Sequence, residues 1–123
     1  MPHLRLEYSS NLKDHVHFRE IFPACHSILA KTANADVARC QSRAIPCDQF
    51  FVGDGSAREA FIALEIILLE GRSTEQLEEM GRQTLKLLEN AFSHLAQRFN
   101  MQISVRYTEF PSSTYYKIET KFV

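Results

Sequence analysis

The sequence predicts an α/β (α+β) sandwich in which two β-α-β units, about 1–55 and 56–123, are fused in a single domain. Three observations predict it. Period-two apolar patterns bracket two long stretches with helical apolar spacing, the strand–helix–strand order occurs twice, and the third strand is almost continuously apolar. Parallel strands joined by a helical crossover place both helices on one face of a mixed sheet. The two halves share little sequence identity.

Each element has its own warrant. Leu4, Leu6 and Tyr8 alternate with His3, Arg5 and Glu7, which predicts a strand over 3–8 with one buried face. Phe18, Ile21, Phe22, Cys25, Ile28 and Leu29 recur at helical spacing, predicting a helix over roughly 13–33 that Pro23 kinks or restarts. Residues 36–52 read as extended and broken by Pro46, and Gly53-Asp54-Gly55 as a turn. The run from Phe61 to Leu69 predicts a strand buried on both faces. Ser73 with Gln76 three residues on is a capping box, opening a helix whose apolar stripe, from Leu77 to Phe99, holds to about residue 98 with Asn100 as its C-terminal cap. Ile103, Val105 and Tyr107 predict a further strand, and Tyr116, Ile118, Thr120 and Phe122 a short C-terminal one. Two helices cover only one sheet face, so the apolar third strand predicts that further copies cover the other in a homo-oligomer.

Composition narrows the function classes. Fourteen Lys and Arg against 15 Asp and Glu leave a net charge of −1, which gives no basic footprint for nucleic acid. Hydrophobic residues at 45% and charged ones at 24% are those of a folded domain. The longest uninterrupted apolar stretches fall well short of the about 20 residues a membrane-spanning helix needs. Cys25, Cys40 and Cys47 are an odd number, and the first residues are charged with no apolar core, which predicts reduced thiols in a cytoplasmic protein.

Few positions point to chemistry. His15 and His17 lie about 200° apart on a helix, and no cysteine pair has a zinc spacing, so no metal site is expected. Cys25 falls on the apolar stripe and reads as core, and Cys25-His26 cannot pair because adjacent helix residues face apart. Glu65, in a buried strand, reads as an ion-pair partner at a subunit interface. Pro2 carries more. Initiator methionine is normally removed before a residue as small as proline, which exposes a secondary amine. An α-amine of ordinary pKa about 7.7–8.0 becomes a neutral base at pH 7 when buried or placed near arginines. While Met1 remains attached, the Pro2 nitrogen is an amide and no base.

The stretch Leu69-Glu70-Gly71-Arg72-Ser73, together with Pro2-His3, Ser42-Arg43 and the chain length, resembles the 5-carboxymethyl-2-hydroxymuconate isomerase family of the tautomerase superfamily. The resemblance implies a tautomerase-like fold of two fused units, a homotrimer, and cofactor-free enol-to-keto isomerisation of an unsaturated dicarboxylate in aromatic-compound breakdown. Pro2 would move the proton, and arginines would hold the carboxylates. Arg72 matches the family's arginine after the third strand. As a bare surface cation it would sit unfavourably at a helix N-terminus. Ungapped alignment from both ends puts Gln41 where the family has its second-strand arginine. Arg39 and Arg43 flank it on the same side by period two, and Arg43 is the expected substitute; Arg106 reads as a solvated strand residue. The neutral Gln41 leaves open another superfamily activity, a phenylpyruvate-type tautomerase or a dehalogenase, or a trimeric binding protein that has lost the reaction.

Overall fold

A computed structural model describes residues 1–122. Val123, which the second expected unit includes, lies outside the described residues. Four strands, β1 (His3–Ser9), β2 (Gln41–Cys47), β3 (Glu59–Leu69) and β4 (Asn100–Phe110), form one sheet in the order β2-β1-β3-β4. The pairs β1/β2 and β3/β4 are parallel, and β1/β3 at the centre is antiparallel. Two helices, α1 (Phe18–Ala33) and α2 (Thr74–Phe92), are the crossovers within the parallel pairs.

The core lies between the sheet and the helices. Leu4 and Leu6 of β1 and Ile62, Leu64, Ile66 and Leu68 of β3 are buried against Cys25 and Leu29 of α1 and Met80, Leu88 and Phe92 of α2. Strand β3 alternates fully buried with half-buried residues. Within one chain it is therefore not sealed on both sides. Its half-buried set (Phe61, Ala63, Glu65, Ile67, Leu69) shares an open face with His3, Arg5 and Glu7. Glu65 pairs there within the chain, accepting from Arg106 Nη2 and Thr108 Oγ1 at 2.9 Å each, with Arg5 at 3.7 Å. These contacts hold its carboxyl below the usual range. Glu65, expected to pair at a subunit interface, thus has ion-pair partners within its own chain, the exposed Arg106 among them.

Several boundaries differ from the sequence expectation. Residues Ser10–His15 form a 3₁₀ turn rather than the start of α1, which begins at Phe18 and runs through Pro23 without interruption. Pro23 is exposed and close to the helix start, where the one carbonyl it fails to serve is that of Arg19. Pro46 does not break β2. The Gln41 N–H donates to the Pro2 carbonyl, so odd residues of β2 face β1, and Pro46 turns its missing donor to the free edge of the sheet. Helix α2 ends at Phe92 in a 3₁₀ turn (Ser93–Leu95), and Asn100 opens β4 instead of capping the helix. The capping box at Ser73 and Gln76 is present in both directions.

The C-terminal strand expected at Tyr116–Phe122 is absent. The segment joins neither edge strand, β2 or β4; Glu119 ties it to Arg39 instead, and Tyr116, Ile118 and Phe122 stay exposed. Cys25 is fully buried and its thiol is pushed up to about 12 by desolvation. Native protein treated with a maleimide at pH 8 is expected to carry label on the half-exposed Cys40 and Cys47 and none on Cys25. Labelling of Cys25 at the rate of the other two would mean that this core opens readily.

Candidate active site

The topology collects the predicted residues at one end of the sheet. Strands β1 and β2 start there, and β3 and β4, running the other way relative to β1, end there. The register His3↔Ile67, continued outward, sets Leu69 opposite Met1, so the turn after β3 carries Arg72 to the N-terminus. The parallel register His3↔Gln41 brings in the start of β2 and, just before it, the 3₁₀ turn Val37–Arg39.

Pro2 is buried, with its carbonyl held by the Gln41 N–H at 3.0 Å. The Met1 amine donates to the Arg39 carbonyl at 3.4 Å. Desolvation lowers the pKa of this amine from its ordinary 8.0, and Lys117, Arg39 and Arg72 lower it further, against an opposing effect of Cys40. Three cations therefore act electrostatically on the chain's amino end, and one of them, Lys117, comes from the C-terminal segment.

Arg72 is half-buried. Its Nε donates to the carbonyl of Ala33, the last residue of α1, at 2.6 Å, and its Nη1 to Leu69 at 3.2 Å. A cation that stands unfavourably at the start of α2 is thus compensated by the carbonyl end of α1. Among the described residues Nη2 has no acceptor, so part of the guanidinium fork is left for an anion.

Arg39 is not on β2, as period two suggested. It ends the preceding 3₁₀ turn, where Asp36 caps the turn and pairs with the guanidinium at 2.6 Å. Gln41 opens β2 and lines, with Asp36, Arg39, Lys117, Glu119 and Lys121, a cleft of about 410 Å³. Pro2 and Arg72 do not line this cleft. Arg43 is exposed two residues along β2, on the open face in register with Arg5. It still acts on the site's border. His3, whose buried Nε2 lacks a hydrogen-bond partner, is kept neutral to lower pH by burial, with Arg43, the N-terminus and Lys117 adding to it. The structure therefore brings together Pro2, Arg39, Gln41 and Arg72, and leaves Arg43 adjacent.

Lys117, Glu119 and Cys40 had no signal as site residues. The alternation of residues 116–122 does place Lys117 and Glu119 together off the apolar side, but their return to Arg39 is a long-range contact that no local pattern encodes.

The comparisons with known proteins agree with one another. The family model for 5-carboxymethyl-2-hydroxymuconate isomerase matches residues 2–120. The Escherichia coli 5-carboxymethyl-2-hydroxymuconate Delta-isomerase is 25% identical over 109 residues, covering 89% of this chain and 86% of that protein. A 5-carboxymethyl-2-hydroxymuconate isomerase from Deinococcus radiodurans R1 superposes with a TM-score of 0.87 at 25% identity, over 97% of this chain and 90% of its own. A fused 4-OT described as a symmetric trimer shares the fold alone, with a TM-score of 0.63 at 13% identity over 90% and 87% of the two chains. With a mixed sheet carrying both helices on one face and a family match that runs from Pro2 almost to the C-terminus, the chain belongs to the 5-carboxymethyl-2-hydroxymuconate isomerase family and is an isomerase of that group.

Proposed function

We propose that this chain, once Met1 is removed, isomerises a 2-hydroxymuconate-type enol dicarboxylate to its keto form with Pro2 as the acid/base and no cofactor. The observation that carries this reading lies one residue before Pro2: the Met1 amine, held at the Arg39 carbonyl, is lowered in pKa by desolvation and by Lys117, Arg39 and Arg72. Cations beside an amine destabilise its protonated form, so the nitrogen is free to accept a proton at neutral pH. They also attract a doubly anionic substrate, so one arrangement serves both needs.

The Pro2 nitrogen takes the proton of the enol hydroxyl. As the carbonyl forms, the electron pair moves along the conjugated chain, and the same proton is returned to a carbon farther on. Nothing is oxidised or reduced in sum. The free Nη2 of Arg72 holds one carboxylate and Gln41 donates its amide to the same ligand. Arg39 supplies charge at the cleft, and Arg43 adds to the positive field from β2. We further propose that the two β-α-β units act as one fused domain in a cytoplasmic homotrimer, with other copies covering the open sheet face. The fused 4-OT trimer of the same fold supports that assembly.

The test compares two preparations of the same chain, one with Met1 retained and one without, each verified by intact mass. Ultraviolet spectroscopy then follows enol-to-keto conversion of 2-hydroxymuconate. Conversion is expected only without Met1. Equal rates in both preparations would eliminate Pro2 as the base, and no conversion in either would eliminate the reaction.

A further inference from the structure

The C-terminal segment returns to the site and places a carboxylate where two cations meet. Lys117 Nζ donates to Glu119 Oε1 at 2.7 Å, and Arg39 Nε donates to the same oxygen at 2.9 Å. All three residues line the cleft of about 410 Å³ that Gln41 also borders. Arg39 already has a local carboxylate in Asp36, so Glu119 is a second anion brought to it from 80 residues away. Lys117 is the most enclosed member of the group, with 27% of its side chain exposed against 38% for Glu119 and 52% for Arg39.

The ammonium therefore lines the same cleft as Gln41, the neutral residue that replaces the arginine implied by the family resemblance. A site for a dicarboxylate needs two anion subsites, and Arg72, with two of its donors tied to Ala33 and Leu69, supplies one. We infer that Lys117 and Arg39 form the second subsite, which receives the substrate's other carboxylate, and that Glu119 is its built-in occupant, displaced when substrate binds. Displacement is easy for physical reasons. The Glu119 pairs are exposed ion pairs, which are individually weak. Residues 115–122 also belong to no strand or helix that would have to break. Lys117 is in this sense a specificity-determining residue that compensates for Gln41. The inference rests on the proposed reaction for its substrate class, while the subsite itself is testable by binding alone.

The experiment uses full-length chain lacking Met1, as wild type, Lys117→Ala, Lys117→Arg and Glu119→Gln. Calorimetry measures affinity for adipate, a six-carbon dicarboxylate that cannot isomerise, and steady-state assays give KM and kcat for 2-hydroxymuconate. Lys117→Ala is expected to weaken adipate and raise KM about tenfold, the size of one charge-assisted hydrogen bond. Lys117→Arg restores most of the affinity, and Glu119→Gln tightens adipate binding a few-fold. Unchanged adipate affinity in Lys117→Ala, or weaker binding in Glu119→Gln, overturns the inference. Lys117-dependent adipate binding by a protein with no turnover would uphold the subsite and reject the proposed reaction, whereas turnover with a KM indifferent to Lys117 would do the reverse.

Discussion

In protein freed of Met1, Pro2→Ala is expected to lower kcat/KM for the enol substrate by about 10²–10⁴-fold, the range general acid–base groups contribute. The variant still carries an α-amine, so the expected loss comes from geometry. The proline ring fixes φ and holds the nitrogen in one direction, whereas a primary amine rotates. The pH profile carries an independent signature. With Met1 present, burial and Lys117, Arg39 and Arg72 lower the pKa of the Met1 amine from its ordinary 8.0, and the same cations are expected to act on the Pro2 amine one residue along once Met1 is gone. Protonation removes the lone pair, so activity falls as pH drops through the lowered pKa, and the acid limb of kcat/KM lies below 8. Were the limb to lie above 8, the cations would not be acting on the base. A loss under about threefold in Pro2→Ala, against the usual contribution of such groups, would mean that the proline ring's fixed geometry is not needed and that any α-amine at this position serves.

Arg72→Ala is expected to act twice. The lost charge-assisted hydrogen bond to a substrate carboxylate, about 1.5–3 kcal/mol, lowers kcat/KM by roughly ten- to a hundredfold. The same change strips the Ala33 and Leu69 carbonyls of their donors. For a half-buried group this costs about 1–2 kcal/mol of stability, measurable by urea unfolding. Arg72→Lys separates the two roles. A single ammonium can meet one carbonyl or the ligand but has no fork to span both, so stability recovers more than affinity. A variant less stable than wild type with an unchanged KM would reduce Arg72 to a helix cap. Kinetic loss without destabilisation would mean that the two carbonyl contacts are dispensable.

Some of this was legible residue by residue. The capping box at Ser73 is a local contact between residues three apart, and Cys25 follows from a stripe of one helix; both depend only on near neighbours. Pro2 and Arg72 stood out because each breaks a local expectation, an imino residue at the start of a strand and a cation at the start of a helix. The failures are equally physical. Pro46 reads as a break until its strand is known to be an edge, and Tyr116–Phe122 reads as a strand although it pairs with neither sheet edge and is held through Glu119 to Arg39 instead. Period two sets Arg39 on a strand because that pattern does not reveal a short 3₁₀ turn.

The sequence alone determined the order of strands and helices, the sheet face that meets the helices, and the two residues that anchor the family resemblance. These depend on periodicity and on interactions over a few residues, which the chain carries locally at every point. Only the tertiary structure decided that Arg72 spends two donors on the end of α1, that Glu65 is neutralised within its own sheet, and that Lys117 and Glu119 come back to Arg39. Each of those is a pairing of charges far apart in sequence. Such partners are chosen by how strands are ordered and where their ends fall, and no local pattern of residue types contains that choice.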